Sequence, residues 1–445
     1  MEKIIIKNFG PIKDVELEIK DINVFIGSTS SGKSTVAKLI AIFKDIFSKA
    51  DGDINDFISD LKKYNIDFSV NDNTYIEFEA RNYSWKLEER IVSSNHPNKE
   101  LEPIVNSLFA LFEKLTDAFI QSKEKMTSLK DEVANRTANW AALADLLKFL
   151  EENKNRFDSK MLRETLPVIR NLYTSRTQES DNRYSFTEKV ASVNDLLNTL
   201  FDSAKLNLIY YIPAERILLS MVAESIFGLM SNDVSIAECI KDFGAHFESA
   251  RRKINQLSIP FLDSKYNYSD KSNFITFSDG AKVKLEQASS GLQSIIPLLL
   301  VVESNTIDES VTKKCFVLEE PELNLYPTVQ KELIEFIVER INKSKDKLII
   351  TTHSPYVLTS LDNLIQASNA AKVNPEQKEK VVEIVPEEKW VDFDRVACYY
   401  FEEGTCRSTL DTENQTIGAS NIDDVSEELG KTFDQLLELK YAHVS

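Results

Sequence analysis

The chain has 445 residues, 42% of them hydrophobic and 28% charged, which is typical of a folded protein with two or three domain-sized units. Its formal net charge of −18 argues against a surface that is basic throughout and wraps nucleic acid, although it leaves room for a local basic groove. No apolar run approaches the roughly 20 residues of a membrane span, and the first residues lead into a strand rather than a signal peptide.

The cysteines indicate the compartment. Cys239, Cys315, Cys398 and Cys406 lack the spacing of a metal site, and Cys315 falls in a predicted core strand. Reduced thiols of this kind are usual in the cytoplasm. We therefore expect a cytoplasmic protein that does not insert into a membrane.

Three strands are predicted at the start of the chain. The first begins at Ile4-Ile5-Ile6, apolar and polar residues alternate over 15–19, and Val24-Phe25-Ile26 reads as a buried strand. An apolar helix is predicted over 36–43. The segment between the third strand and this helix consists of Gly27, Ser28, Thr29, Ser30, Ser31, Gly32, Lys33, Ser34 and Thr35.

This segment has the G-x-x-x-x-G-K-[ST] spacing of a phosphate-binding loop, in the required position between a strand and a helix. Gly27 and Gly32 allow a backbone turn that directs N–H groups at phosphate oxygens, and the helix N-terminus adds a positive dipole. Lys33 is predicted to reach the β and γ phosphates, and the Ser34 hydroxyl to ligate Mg²⁺. The alternative is a serine-rich surface loop before an ordinary helix.

A long helical region interrupts the strands. After a hairpin predicted over 74–89, the apolar residues from about residue 99 recur at helical spacing, which predicts one long amphipathic helix. Shorter helices are predicted near 140–150 and 161–172. We assign 99–202 as a helical insertion for interaction or oligomerisation, with a lid or scaffold as the alternative.

The chain returns to strand at 206–212, directly before Pro213-Ala214-Glu215-Arg216. Arg216 lies where a buried strand ends, which is a common place for a phosphate or interface contact. A structural pair between Arg216 and a carboxylate is equally compatible with the sequence. Helical residues to about 256 and a second hairpin over 273–285 follow.

Two further motifs follow in order. Ser289, Ser290 and Gly291 open an apolar helix, where hydroxyls and free N–H groups suit either an anion or a plain helix cap. A continuous apolar strand over 315–318 then ends in Glu319 and Glu320. Glu319 is predicted to hold Mg²⁺ or its water shell, and Glu320 to orient and deprotonate the attacking water.

His353 follows the next predicted strand, at 347–352, after a helix over 329–341. A neutral imidazole in this position suits a bond to the γ-phosphate or to the attacking water. Beyond residue 362 the sequence predicts a strand, a hairpin (397–401 and 406–410) and a terminal helix over about 423–439. Residues 401–445 hold ten Asp/Glu against three Lys/Arg.

The order of these motifs resembles that of the ABC superclass of P-loop ATPases. The loop resembles its phosphate loop, Ser289-Ser290-Gly291 its signature, the paired glutamates its Walker B motif, and His353 its histidine switch. Lys7-Asn8-Phe9-Gly10 and Leu325-Tyr326-Pro327 resemble the RecF, OLD and SMC branch. The combination of Pro213–Arg216 and Thr352–Tyr356 is similar to stand-alone ATPases of bacterial anti-phage systems such as PARIS and Septu.

The resemblance implies an α/β head, with a mixed sheet and an antiparallel side sheet, split by the insertion. The expected segments are 1–98 and 203–365 for the head, 99–202 for the insertion and 366–445 for a C-terminal strand-hairpin-helix extension. It also implies ATP and Mg²⁺ as cofactors, and catalysis by Glu320 and His353 with Lys33. No glutamine fits the usual loop after the first helix, and no acidic clusters of a C-terminal nuclease are present.

The function expected from the resemblance is an ATPase that works as a homodimer or higher homo-oligomer and controls a partner effector, a nuclease or toxin, in anti-phage defence. DNA or a phage protein would be its trigger. One alternative is a DNA-repair ATPase of the RecF or SMC kind that clamps DNA. Another is a scaffold that binds ATP and scarcely hydrolyses it.

Overall fold

The computed structural model describes residues 2–45, 53–80, 83–94, 208–222, 236–307, 313–418 and 430–437. These residues belong to one compact unit, which the chain forms from the segments on either side of 95–206. The helical insertion predicted at 99–202, with its long helix and shorter helices, lies outside the described residues and stays a prediction.

The elements of the described residues are numbered in chain order. Strands β1 to β15 are Glu2–Phe9, Ile12–Ile19, Ile22–Gly27, Tyr75–Ala80, Tyr83–Glu88, Ile91–Ser94, Leu208–Ile212, Gln256–Ile259, Ser264–Ser269, Ser272–Phe277, Lys282–Lys284, Lys314–Glu319, Lys347–Thr352, Val396–Glu402 and Thr405–Ser408. Helices α1 to α9 are Lys33–Lys44, Ile54–Lys63, Ile217–Val222, Glu238–Lys253, Ser290–Thr306, Pro327–Ser344, Pro355–Val373, Lys378–Ile384 and 430–437.

Eleven strands form one mixed sheet in the order β6-β5-β4-β1-β2-β15-β14-β3-β13-β12-β7. The five from β14 to β7 are parallel, whereas β1, β2, β4, β5 and β6 pair antiparallel. Strands β3 and β12 are buried along their whole length. Their alternate side chains enter two different cores, with Val24 and Phe316 in one and Phe25 and Val317 in the other. Burial on both faces explains why these strands are continuous apolar runs.

The predicted α/β class with a mixed sheet is confirmed. The strands predicted around 24–26, 315–318 and 347–352 are β3, β12 and β13, and the first predicted hairpin is β4 and β5. That hairpin continues the main sheet, because β4 pairs with β1. The second predicted hairpin is part of a separate four-stranded antiparallel sheet, β11-β10-β9-β8, whose strands β8 and β9 the sequence did not predict.

The predicted C-terminal hairpin lies inside the main sheet. Strand β14 pairs with β3 in parallel, and β15 pairs with β14 and contacts β2. Residues 363–395 form no separate strand. Residues up to Val373 belong to α7, whose buried residues Leu361, Leu364, Ile365 and Ser368 have the spacing of one helix face, and Lys378–Ile384 form α8. The hairpin of 366–445 is therefore part of the head. Of the predicted terminal helix, 430–437 is described and is helical.

None of the helices in the described ranges is long and apolar enough to cross a membrane. The four cysteines are unpaired. Burial raises the pKa of each thiol, to about 11 for Cys239, Cys315 and Cys406 and to about 12 for Cys398. All four are therefore thiols at neutral pH, with little of the reactive thiolate form.

Candidate nucleotide site

Four parallel strands end side by side at the candidate site. They are neighbours in the order β3-β13-β12-β7. The phosphate loop follows β3, His353 follows β13, Glu320 follows β12, and Arg216 follows β7. Ligands of such sheets bind at the carboxyl ends of the strands. The sheet therefore brings together four features that lie far apart in the sequence.

The phosphate loop turns tightly from β3 into α1. Gly27 has a φ of 146° and Gly32 one of 102°. A Cβ at Gly27 would lie 2.0 Å from the carbonyl oxygen of Phe401 in β14, so only glycine fits there. Gly32 is the residue before α1, whose first N–H groups and positive dipole end face the loop. This is the arrangement that a phosphate requires.

Lys33 is 4% exposed, and the loop itself holds its ammonium group. Nζ donates to the carbonyl oxygens of Gly27 at 3.0 Å and Ser28 at 2.7 Å. Burial lowers the pKa of Lys33 to about 8, against the opposing attraction of Glu320 and Glu322. Lys33 is therefore in electrostatic reach of these carboxylates, and a phosphate would replace the two carbonyl oxygens as its partner.

Glu319 ends β12 and is buried, and no hydrogen bond of normal length reaches its Oε1. The buried Tyr211 lies near this carboxylate, and burial together with the Glu319 charge raises the pKa of Tyr211. The nearest cation is Lys38 on α1, with its Nζ 3.9 Å from Oε1 of Glu319. Buried polar atoms are rarely left without a partner, so this oxygen is suited to act as a ligand of a metal ion. Glu319, the Ser34 hydroxyl and nucleotide oxygens form a donor set that fits Mg²⁺. When bound, Mg²⁺ would polarise the phosphate oxygens.

Glu320 and His353 are in direct contact. Nε2 of His353 lies 3.0 Å from Oε1 of Glu320, and both side chains are partly exposed. The N–H of Glu320 donates to the carbonyl oxygen of Thr351 at 2.9 Å, which joins the end of β12 to that of β13. A carboxylate and an imidazole that share solvent access can hold a water and take its proton. A cleft of about 550 Å³, lined in part by Tyr326 and Gln330, opens beside the pair.

Two further charged residues at the site, Glu322 and Lys38, were not predicted from the sequence. Oε1 of Glu322 accepts from Thr352 Oγ1 at 2.5 Å and from the N–H of His353 at 2.9 Å, so it fixes the loop that carries the histidine. The sequence signal that could have identified Glu322 is its place as a third glutamate, directly after Pro321. Lys38 could have been found from its position four residues after Ser34, on the same face of α1.

The guanidinium of Arg216 is bonded to backbone carbonyl oxygens, and not to the phosphate or the carboxylate that were two of the partners suggested by the sequence. Arg216 is fully buried, and burial lowers its pKa to about 10, against the attraction of the neighbouring glutamates. Its guanidinium donates five hydrogen bonds of 2.8 to 3.2 Å to the backbone carbonyl oxygens of Pro213, Ser294, Glu319, Glu320 and Pro321. Neither a phosphate contact nor a carboxylate pair describes this side chain.

The three signature residues open α5, as predicted. Ser289 is the N-cap, and its Oγ accepts from the N–H of Leu292 at 3.4 Å. Ser289 and Ser290 are exposed. Gly291 packs on the segment after β12, where an added Cβ would lie 2.8 Å from the carbonyl oxygen of Asn324. The contact of these residues with a neighbour's nucleotide stays a prediction.

The AAA ATPase domain family matches residues 1–358, which include the loop, the paired glutamates, the signature residues and His353. The chain belongs to this family. With the mixed sheet described above, this match confirms the predicted α/β ATPase head.

Solved structures similar to this chain are distant in sequence. One is the Smc head domain of Pyrococcus furiosus bound to the C-terminal domain of ScpA, with 10% identity over 92% of this chain and 96% of that chain and a TM-score of 0.34. An ATP-binding cassette of an ABC transporter has 12% identity over 93% of each chain and a TM-score of 0.31. The recombination mediator protein RecF has 10% identity over 91% and 96%, with a TM-score of 0.30. A comparison with curated proteins found no match.

Proposed function

We propose that this chain binds ATP with Mg²⁺ in the phosphate loop and hydrolyses it with Glu320 as general base. The observation that carries the proposal is the contact of Glu320 with His353, whose Oε1 and Nε2 atoms are 3.0 Å apart. The contact lies at the sheet edge where β3 ends and the phosphate loop begins. Lys33 binds the β and γ phosphates, Ser34 and Glu319 hold the metal, and His353 keeps the attacking water or γ-phosphate in line.

The proposed active form is a homodimer or a higher homo-oligomer. Ser289 and Ser290 are exposed at the start of α5 and offer hydroxyls and N–H groups to an anion. In the ABC arrangement this end of the helix faces away from its own phosphate loop. The serines and Gly291 therefore cap the nucleotide of a neighbouring copy, and ATP is bound between two subunits.

ATP turnover in this proposal controls a partner effector, a nuclease or toxin, in cytoplasmic anti-phage defence, with DNA or a phage protein as the trigger. The support is surface that ATP chemistry does not use. Phe433 and Leu436 lie three residues apart on α9 and are each 61% exposed. They belong to the acidic segment 401–445. An apolar pair among acidic residues suits a protein partner with a basic rim.

The test uses the purified chain with ATP, Mg²⁺ or Mn²⁺, and plasmid DNA or total RNA. We expect ATP hydrolysis without cleavage of nucleic acid, because the effector is a separate gene product. Cells that express the chain alone should also grow normally. Cleavage that survives further purification but disappears in Glu320→Gln would contradict control of a separate effector.

A specific observation favours the second candidate, a RecF-like or SMC-like ATPase that clamps DNA. The outer face of the four-stranded sheet carries Lys265, Lys282 and Lys284. Lys265 and Lys282 lie opposite Thr276, and Lys284 lies opposite Phe274. Thr276 and Phe274 are two residues apart on β10, so all of these side chains share one face. Within these four strands that face has no carboxylate. Three lysines beside an aromatic ring, in a chain of net charge −18, suit a phosphate backbone.

Binding to labelled duplex and single-stranded DNA at several salt concentrations distinguishes the two candidates. DNA clamping requires tight, salt-dependent binding that Lys265→Glu with Lys282→Glu abolishes. The control is Lys62→Glu with Lys343→Glu, which makes the same charge change at exposed lysines elsewhere. Equal loss in both double variants would indicate a general charge effect rather than a DNA site on this sheet.

A further inference from the structure

The backbone of Glu320 is in an unfavourable conformation. Its φ is 42°, in the left-handed region that residues other than glycine rarely adopt. Such a conformation persists only where the surrounding structure fixes it from several sides. At Glu320 the N–H is fixed by the carbonyl oxygen of Thr351, and the carbonyl oxygen is fixed by Nη2 of Arg216 at 2.8 Å.

Arg216 also holds the residues on both sides of Glu320. Its Nη1 donates to the carbonyl oxygen of Glu319 at 2.9 Å, and its Nη2 donates to that of Pro321 at 3.0 Å. The remaining bonds anchor the guanidinium to the end of β7 and to Ser294 on α5. Three successive carbonyl groups are thus bound by one rigid, planar group that is itself fixed to two other elements.

We propose that Arg216 is a positioning residue for ATP hydrolysis: it fixes the backbone of 319–321 and thereby directs the Glu320 carboxylate at His353 and the attacking water. The inference rests on the proposed role of Glu320 as general base. Arg216 is buried behind the turn, and all five of its N–H donors are bonded to carbonyl oxygens, so it does not itself contact nucleotide. A misplacement of about 1 Å at a reacting group costs roughly a hundredfold in rate.

The test begins with Arg216→Lys, which keeps the positive charge but loses the five-donor fork. We expect kcat for ATP hydrolysis to fall by about tenfold or more, with the Kd for ATP within about twofold of wild type, since the phosphate loop is untouched. Arg340→Lys is the control. Arg340 is a partly buried arginine of α6 that pairs with Glu303 and Glu339, and this change should leave kcat unaltered.

A double-mutant cycle separates positioning from a general structural effect. In a Glu320→Gln background, Arg216→Lys should cause no further loss of the residual rate, because Arg216 acts through the carboxylate that is already gone. Losses that multiply would overturn the inference, as would a parallel loss of ATP affinity. An undiminished rate in Glu320→Gln alone would refute the base assignment itself, and this inference with it.

Pro321→Gly tests the same idea if Arg216→Lys does not fold. This variant keeps Arg216 and all of its carbonyl acceptors but frees the backbone directly after Glu320. Because the three carbonyl groups stay bound to Arg216, kcat and the Kd for ATP should both remain within about twofold of the wild type. A fall in kcat of about tenfold or more at unchanged Kd in folded Pro321→Gly would show that the proline ring rather than Arg216 fixes the turn, and would overturn the inference.

Discussion

Lys33 combines two opposing effects at one residue. Burial removes its ammonium group from water, and the carbonyl oxygens of Gly27 and Ser28 replace only part of that hydration. The result is a pKa lowered to about 8, close to the working pH of a cell. A bound phosphate would favour the charged form, so ATP binding and protonation of Lys33 are linked.

This linkage predicts that ATP affinity falls as the pH rises. Above about pH 8 the free protein must take up a proton at Lys33 before it binds phosphate, so Kd should increase about tenfold between pH 7 and pH 9. Calorimetric titration over this range measures the effect. Lys33→Arg, whose side chain stays charged, should show a much flatter profile. A flat profile in the wild type would contradict the assignment.

One buried carboxylate, that of Glu2, links three secondary-structure elements. Glu2 of β1 pairs with Lys44 at the end of α1 and, at 2.9 Å, with Lys347 at the start of β13. Burial alone would raise the pKa of Glu2, but the two lysines prevail and lower it to about 2. The three charges lie at the amino end of β13, opposite the edge that carries His353.

Glu2→Gln should destabilise the fold by about 3–5 kcal/mol, because it leaves the buried ammonium group of Lys44 and the partly buried one of Lys347 without their counter-ion. The wild type should lose the same contribution in acid. A carboxyl group with a lowered folded pKa stabilises above its unfolded value of 4.5, and this stability disappears as the pH falls toward about 2.

Urea unfolding of Glu2→Gln at pH 7 and of the wild type from pH 7 to pH 2 measures both effects. Glu16→Gln is the control, since Glu16 pairs with Lys3 on the surface. Equal stability of Glu2→Gln and the wild type would show that the cluster has no role in holding β1.

The elements that could be predicted are those with an unambiguous pattern. Strands β3 and β12 are buried apolar runs, and the phosphate loop has a fixed spacing. Strand β8 has four residues, half of them exposed, and gives no such signal. The position of β14 beside β3 was also hidden, since it depends on pairing across the whole chain. The same limit applies to Arg216, whose partners are carbonyl groups that every residue carries.

For the whole molecule, the candidate site is incomplete without a second copy if the signature residues act as proposed. One subunit would supply Lys33, Glu319 and Glu320, and the other Ser289, Ser290 and Gly291. Such a composite site makes hydrolysis depend on assembly, which is what a sensor or a clamp requires.

Mixing two inactive variants tests the shared site. Lys33→Ala removes the loop's cation, and Ser290→Arg blocks the helix end that caps the neighbour. Each variant alone should be inactive, but a heterodimer has one intact site and should recover up to about half of the activity per dimer. No recovery under conditions where heterodimers demonstrably form would contradict the composite site.

The most direct test of the central claim compares ATP binding and single-turnover hydrolysis in Lys33→Ala and Glu320→Gln. The claim is that one sheet edge holds a phosphate cradle and a separate general base. We expect Lys33→Ala to lose ATP binding. Glu320→Gln should bind ATP as the wild type does, but its hydrolysis rate should be lower by about a hundredfold or more. Equal loss of ATP affinity in both variants, or wild-type hydrolysis by Glu320→Gln, would contradict the account.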